Sequence, residues 1–234
     1  MRYTKLWIVA GSMGLALMGL AVAAAPVAAA GAAAPAAAST AAPSADQVDA
    51  SGPEQLIKTA ANAMLKELDA HRADYRKDPS KVHQLVDRIL LPHFDTEYSA
   101  RLVLGRHWAA ASAEQRQRFI KAFYNSLLNN YGDALIDYTA DRLKVFPYTA
   151  DANAANATVR TQVRKSDGST VAVNYTLHHT DQGWKAWDVV IEGISYVKSF
   201  REDFDSEIEQ KGLDEVIMRL ESGAAPDAIK HAGK

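Results

Sequence analysis

Apolar residues recur every three or four positions through the first half of the chain, beginning at Pro53. This spacing is typical of one face of an α-helix. It predicts a first helix from Pro53 to a break at Asp78, and a second helix that ends at Pro92. A short third helix follows, capped by Asp95 and ended by Gly105. The first half of the fold is therefore predicted to be helical.

A longer fourth helix is predicted to start at a capping box formed by Ser112 and Gln115. Apolar residues then come in pairs every four positions, which gives the helix a wide apolar stripe. The stripe consists of Phe119, Ile120, Phe123, Tyr124, Leu127, Leu128, Tyr131, Leu135 and Tyr138. Because of its length, this helix is predicted to be the central element of the domain.

The pattern changes to alternation after Arg142. A short apolar run at residues 143–146 and alternating segments at 158–164, 171–178 and 187–191 predict four strands. The Asp167–Gly168 pair is typical of a two-residue hairpin turn. Helical spacing returns at Ile194 and again at Leu213. The predicted fold is α+β, with an antiparallel four-stranded sheet whose apolar face is covered by helices.

The first fifty residues have a different character. Arg2 and Lys5 precede an apolar run, Leu6 to Leu20, and small residues follow. This is the layout of a secretory signal peptide, so we predict a leader at 1–30, cleaved on export, with an uncleaved membrane anchor as the alternative. Residues 31–52 are rich in Ala and Pro and predict a flexible linker. The folded domain is predicted at 53–222, and 223–234 at the end is predicted to be a disordered tail.

Composition excludes several classes of function. The chain has no cysteine, which excludes disulfides, thiolate metal sites, a cysteine nucleophile and a lipidated N-terminal cysteine. The formal net charge of −2 argues against a protein held on nucleic acid by bulk positive charge. No feature of the sequence indicates an obligate oligomer, so a monomer is expected.

Two segments resemble a known family. The first runs from Pro92-His93-Phe94-Asp95 through Tyr98-Ser99-Ala100-Arg101-Leu102-Val103-Leu104-Gly105-Arg106-His107-Trp108. The second is Trp184-Lys185-Ala186-Trp187-Asp188-Val189-Val190-Ile191-Glu192-Gly193-Ile194-Ser195. Both resemble the periplasmic phospholipid-binding MlaC family, also called the toluene-tolerance Ttg2D family. The resemblance extends over roughly 53 to 220, in the right motif order.

The resemblance implies a fold and a function. The implied fold is a curved four-stranded sheet with helices, similar in shape to the NTF2-like cone. The implied function is that of a soluble periplasmic carrier with phospholipid as its cargo and no other cofactor. It implies as partners an outer-membrane lipoprotein complex and an inner-membrane ABC transporter complex that contains an MCE-domain protein. The role of such a system is to maintain the lipid asymmetry of the outer membrane.

A lipid carrier needs an apolar lining, and the predicted apolar faces supply one. The candidate lipid-binding residues lie on the long helix, the sheet and the segment after it: Phe123, Leu127, Tyr131, Val159, Val163, Val173, Tyr175, Leu177, Trp187, Val189, Ile191, Ile194 and Val197. Four cationic or titratable residues are candidates for the mouth, near the headgroup: Arg101, Arg106, His107 and Lys198. The alternative is that the apolar residues form an ordinary core and that the cations form ion pairs or a solvated face.

Two other functions stay open on the sequence alone. A cone-shaped enzyme, such as an isomerase or dehydratase, would place Asp188 in an apolar cup with Tyr175 or His107 as partner. Strand alternation instead points Asp188 away from the pocket and favours a structural role. The same alternation argues against His178 and His179 as a metal pair. The other alternative is a periplasmic adaptor with a solid core and no ligand.

Overall fold

The structure, a computed structural model, describes residues 48–78, 80–136, 142–149, 154–164 and 168–224, without the side chains of Tyr131, Asp133 and Ala134. The predicted leader, most of the predicted linker and the end of the chain lie outside the described residues. Among the helices that are described, none is long and apolar enough to cross a membrane.

Helices occupy the first part of the described chain and its end. They are α1 (Pro53–Lys77), α2 (Ser80–Ile89), α3 (Thr96–Leu104), α4 (His107–Ala110), α5 (Ala113–Ile136), α6 (Tyr196–Lys211) and α7 (Leu213–Glu221), with a 3₁₀ turn at Leu91–His93 between α2 and α3. The helices predicted from apolar spacing are therefore present in the predicted order.

Side chains close in sequence cap the N-termini of α3 and α5. The Asp95 carboxylate accepts from the backbone N–H of Tyr98, 2.9 Å away, at the start of α3. Ser112 and Gln115 form the reciprocal capping box at the start of α5: the Gln115 N–H donates to the Ser112 hydroxyl, and the Ser112 N–H donates to the Gln115 side chain. These bonds satisfy N–H groups that have no partner within the helix.

The sheet is antiparallel and has five strands in chain order. These are β1 (Leu143–Val145), β2 (Asn156–Arg164), β3 (Thr170–Thr180), β4 (Gly183–Ile191) and β5 (Ile194–Ser195). The predicted antiparallel meander is confirmed, with one more strand than predicted. β5 is only two residues long and continues directly into α6. For this reason the helical spacing of the sequence assigned Ile194 to the helix.

The connection between β2 and β3 contains the predicted turn at Asp167–Gly168, of which Asp167 lies outside the described residues. Pairing between these strands ends at Arg164 and Thr170. Gly168, with φ of +85°, lies within this connection. The predicted antiparallel hairpin of β2 and β3 is confirmed, and the form of its turn stays a prediction.

The core consists of two groups of buried apolar residues. The first cluster joins α1, α2 and the second half of α5 to one sheet face, through residues such as Leu56, Leu68, Val82, Ile89, Leu128, Val159, Leu177, Trp184 and Ala186. The second cluster joins α3, the first half of α5, α6 and α7, through Ala100, Val103, Leu104, Phe119, Phe123, Phe200, Phe204, Val216, Ile217 and Leu220. α5 contributes to both clusters and therefore connects them.

A β-bulge interrupts β4 and changes which side chains share a face. The register between β3 and β4 shifts at Thr176 and Leu177, which pair with Asp188 and Ala186. Trp187 is therefore the extra residue of the bulge. Strict alternation would have given Trp187 the same face as Val189 and Ile191, and the bulge breaks that alternation.

Candidate functional site

One sheet face, here called the inner face, carries the apolar residues of every long strand. Residues paired across strands point to the same side, so the registers place Thr161, Val163, Val171, Val173, Val189 and Ile191 together on this face. Towards one end of the sheet the inner face is closed by the first cluster, where Val159 and Leu177 are completely buried. Towards the other end the inner-face side chains of β3 and β4 stay partly accessible, whereas Thr161 and Val163 of β2 are buried.

The accessible part of the inner face forms a continuous apolar strip that we call the open row. It consists of Val171, Val173, Val189, Ile191 and Ile194. None of these residues belongs to either of the two clusters formed by the described residues. Ile194 is the most accessible, with 55% of its surface exposed. Large apolar groups left contiguous and accessible are typical of a ligand or partner site.

The hairpin between β4 and β5 adds Ile194 to this row. Its turn consists of Glu192 and Gly193, with φ of +50° and +83°. Positive φ at both central positions is typical of the tight turn whose twist matches that of the strands. Because Ile191 pairs directly with Ile194, both side chains lie on the inner face. The turn thus extends the apolar strip to the edge of the sheet.

Asp188 lies on the opposite side of the sheet from the open row and connects β4 to the start of α6. Its side chain is buried, with 3% of the residue exposed. One carboxylate oxygen accepts from the Ser195 hydroxyl at 2.6 Å, and the other accepts from the Val197 N–H at 3.0 Å. Asp188 therefore has a capping role at the start of α6, in the place that alternation predicted.

The remaining residues predicted to contact lipid divide between the two clusters. Val159 and Leu177 are buried in the first cluster, and Tyr175 packs against it. Phe123 is buried in the second cluster, and Leu127 and Val197 pack against that cluster. Val163 is buried on the inner face next to the open row. The side chain of Tyr131 lies outside the described residues.

The structure places Trp187 differently from Val189 and Ile191. Its ring packs edge-on against Tyr98 of α3, with ring centroids 5.5 Å apart. The Tyr98 ring also contacts His178 in a tilted arrangement, with ring centroids 4.6 Å apart, and the position of His178 on β3 belongs to the outer face. The expectation that Trp187 lies in the apolar row is corrected here, because the bulge turns its side chain away from that row.

Two of the four candidate mouth residues, Arg106 and His107, contact the same carboxylate of Asp205. Arg106 donates to both carboxylate oxygens of Asp205 at 2.8 and 2.9 Å and also contacts Glu209. His107 Nε2 lies 2.8 Å from the same Asp205 carboxylate. These contacts join the segment around α4 to α6 and place Arg106 in an ion pair, which was the alternative to a headgroup role.

The other two candidates lie at exposed positions. The Arg101 guanidinium lies 5.0 Å from the centre of the Tyr98 ring. Lys198 lies in the first turn of α6, where its backbone N–H donates to the Ser195 hydroxyl. Since Ser195 directly follows Ile194, Lys198 is the candidate cation nearest in the chain to the open row.

The pH dependence of stability provides a test of the ion pairs around Asp205. The Arg106 guanidinium, which donates to Asp205, lowers the pKa of that carboxyl, and His107 acts in the same direction. A carboxyl with a lowered folded-state pKa stabilises the fold above its unfolded pKa, about 3.9, and this contribution disappears as the pH falls through the folded-state pKa.

We therefore expect Arg106→Met to lower the urea midpoint of unfolding at pH 7. The difference from wild type should shrink below about pH 4 and vanish once the carboxyls are protonated. Circular dichroism at a series of pH values measures both midpoints. A difference that stays constant down to the acid end would mean that Arg106 acts by packing of its aliphatic stem instead.

His178 and His179 point in different directions, as alternation predicted. His178 Nε2 lies 2.9 Å from the Asp95 carboxylate, whereas the His179 ring packs edge-on against Trp184. Within the described ranges, no group of three or more His, Asp or Glu side chains is arranged to hold a metal ion.

A small cavity of about 190 Å³ lies at the β1 edge of the sheet. It is lined by Arg142, Leu143, Lys144, Gln162, Arg164 and Thr170. Ligand pockets usually measure about 300–1,000 Å³, so this cavity is too small for a diacyl lipid. The open row, and not this cavity, is the candidate site for an apolar ligand.

Sequence reasoning missed two residues of interest. Val171 belongs to the open row. Strand alternation indicates this, because Val171 and Val173 are two positions apart on one strand and therefore share a face. Tyr124 was assigned to the apolar stripe of the long helix, and its hydroxyl is buried without a hydrogen-bond partner among the described residues. No pattern in the sequence distinguishes such a hydroxyl from a bonded one.

Comparison with known proteins gives consistent matches over most of the chain. The family described as MlaC protein matches residues 58–222. The toluene tolerance protein ttg2D of Pseudomonas putida is 30% identical over 168 residues, which cover 71% of this chain and 78% of that protein. The intermembrane phospholipid transport system binding protein MlaC of Haemophilus influenzae is 24% identical over 184 residues, covering 76% and 85%.

A solved structure has the same fold. The phospholipid-binding protein from Ralstonia solanacearum, determined in complex with a phospholipid, matches with a TM-score of 0.66 and 25% identity. The match covers 76% of this chain and 97% of that one. The α+β fold with helical flanks is thereby confirmed. Both segments that carry the sequence resemblance, 92–108 and 184–195, lie within the matched residues.

Proposed function

The chain belongs to the MlaC family, and from that premise we propose that it is a phospholipid carrier whose cargo lies on the open row. The observation that carries this proposal is the apolar strip from Val171 to Ile194, which the two clusters leave uncovered. An acyl chain is the kind of ligand that such a strip fits, because it is long, narrow and entirely apolar. The strip has no charged residue that a bound chain would have to desolvate.

The energetics suit a carrier that releases its cargo only to a partner. Burying one CH₂ group contributes about 0.8 kcal/mol, so a sixteen-carbon chain gives a gross gain of about 12 kcal/mol. Ordering of the lipid and incomplete coverage reduce this gain. What remains makes spontaneous loss into water slow, so handover needs a surface that offers the chain a continuous apolar path.

The proposed cellular role follows from family membership. The chain is exported, loses its leader and acts in the periplasm as a monomer. There it moves phospholipid between an outer-membrane lipoprotein complex and an inner-membrane ABC transporter complex with an MCE-domain protein. The sequence contains no glycine-rich phosphate-binding loop, so the energy for directional transport comes from the partners. The protein is a binding protein and not an enzyme.

Native mass spectrometry of the protein purified from the periplasm, with lipid extraction in parallel, tests this proposal. We expect a mass excess of one phospholipid that organic solvent removes. The same spectrum reports the mature N-terminus and therefore the predicted cleavage near residue 30. A bare mass that stays bare after incubation with phospholipid vesicles would support the adaptor alternative, and chemical conversion of the extracted lipid would support an enzyme.

A further inference from the structure

The cavity at the β1 edge of the sheet concentrates positive charge. The described residues that line it are three cations, two neutral polar residues and one apolar residue: Arg142, Lys144 and Arg164, then Gln162 and Thr170, then Leu143. None of these described lining residues carries a carboxylate. The whole chain has a formal net charge of −2, so this concentration of cations does not follow from the composition. A cavity with such a lining attracts anions.

The strand registers bring these side chains together on one face. Lys144 of β1 pairs with Gln162 of β2, and Arg164 of β2 pairs with Thr170 of β3. Paired residues point to the same side, and so do residues two positions apart on one strand. All four side chains therefore lie on the outer face, opposite the open row. The cavity is thus separate from the proposed lipid site.

Two local contacts orient the groups that line the cavity. Gln162 Nε2 donates to the Thr170 hydroxyl at 3.1 Å, and that hydroxyl can donate its own proton to a further acceptor. Lys144 Nζ lies 4.7 Å from the centre of the Phe146 ring, a cation–π contact that positions the ammonium group. The cavity therefore offers neutral donors as well as cations.

These groups match the chemistry of phosphate. A guanidinium presents its N–H donors in a planar fork that fits two phosphate oxygens at once, and an ammonium adds a point charge. A volume of about 190 Å³ accommodates a phosphate group together with a few waters, each of which occupies about 30 Å³ in the liquid. We propose that this cavity binds a phosphate group, supplied by a lipid headgroup or by free inorganic phosphate. This inference goes beyond the carrier function and does not depend on it.

The experiment titrates two soluble probes into ¹⁵N-labelled protein at pH 7. The probes are inorganic phosphate and glycerophosphoglycerol, the phosphodiester headgroup of phosphatidylglycerol, with chloride keeping the ionic strength constant. We expect saturable shifts of the amide signals of Lys144, Gln162 and Thr170. Saturation by inorganic phosphate alone would identify free phosphate as the ligand. Saturation by the phosphodiester, with or without inorganic phosphate, would identify a lipid headgroup as a ligand.

Matched arginine variants separate a defined site from general electrostatic attraction. Arg164→Gln removes a cation that lines the cavity, and we expect the Kd of the bound probe to rise about tenfold, the effect of one lost charge-assisted hydrogen bond. Arg160→Gln is the control, because Arg160 is an exposed arginine on the same face of the same strand but is not one of the lining residues. We expect Arg160→Gln to bind as wild type does.

Two results would overturn the proposal. The first is the absence of saturable shifts at the cavity with either probe. The second is an equal loss of affinity in Arg160→Gln and Arg164→Gln, which would mean that the outer face attracts anions only diffusely. Spectra of the probe-free variants check that they fold. Should Arg164→Gln not fold, Lys144→Gln replaces it with the same expected tenfold loss, because Lys144 is exposed.

Lipid loading distinguishes this proposal from the carrier function. Because the cavity and the open row lie on opposite faces of the sheet, both arginine variants should copurify with phospholipid as wild type does. If wild type carries no lipid but binds phosphate at the cavity, the carrier function fails and the phosphate site stands. If wild type carries lipid and neither probe saturates the cavity, only the phosphate site is overturned.

Discussion

Replacing Val173 with aspartate should abolish phospholipid loading while the protein stays folded. Val173 lies in the middle of the open row and is only partly buried, so a carboxylate there stays hydrated in the lipid-free protein. A bound acyl chain would cover it, and burying an unpaired carboxylate costs several kcal/mol. Because about 1.4 kcal/mol corresponds to a factor of ten, we expect affinity to fall at least a hundredfold. Val189→Asp should have the same effect. Lipid extraction and native mass spectrometry measure the loading.

Asn174→Asp is the matched control for this change. Asn174 is the next residue on β3, and its side chain lies on the outer face. The Asn174→Asp substitution introduces the same charge into the same strand, so any general effect of a charge on the sheet appears in both variants. We expect Asn174→Asp to load lipid normally. If Val173→Asp is folded and also loads normally, the cargo does not lie on the open row.

Replacing Asp188 with alanine should have the largest effect on stability among the site residues. The change removes two hydrogen bonds to a buried carboxylate, from the Ser195 hydroxyl and the Val197 N–H. It leaves both donors without their partner at the point where β5 continues into α6. Hydrogen bonds to charged groups contribute about 1.5–3 kcal/mol each, so we expect a loss of about 3–6 kcal/mol in the free energy of unfolding, measured by urea denaturation.

Ser195→Ala provides the graded comparison. It removes the bond from the Ser195 hydroxyl to Asp188 and the cap bond that the same hydroxyl accepts from the Lys198 N–H, and it keeps the Asp188 carboxylate paired with the Val197 N–H. We expect a loss of about 2–3 kcal/mol, smaller than that of Asp188→Ala. If Asp188→Ala unfolds with wild-type stability and instead changes the chemistry of a bound lipid, Asp188 would belong to an active site, as the enzyme alternative supposes.

Local sequence signals account for most of the fold. Helix spacing, the capping box of Ser112 and Gln115 and the cap at Asp95 are properties of neighbouring residues, so they can be read before any tertiary contact is known. The bulge at Trp187 cannot be read in this way, because it depends on how β4 pairs with β3. The same holds for β5, whose two residues become a strand only through pairing with β4.

The site was less predictable than the fold. The sequence identifies which side chains are apolar, and it places Val173, Val189 and Ile191 on one face. It does not distinguish residues that the helices cover, such as Leu177, from residues that they leave accessible, because coverage depends on contacts between distant segments. The pairing of Arg106 with Asp205 joins residues almost a hundred positions apart, and no local pattern indicates it.

Photo-crosslinking with a phosphatidylglycerol that carries a diazirine midway along one acyl chain tests the location of the cargo most directly. After irradiation, mass spectrometry with fragmentation assigns the adducts to individual residues. We predict adducts on open-row residues, chiefly Val173, Val189 and Ile191, and their loss when unlabelled lipid competes. Adducts concentrated on outer-face residues such as Arg160 and Asn174, with none on the open row, would contradict the account.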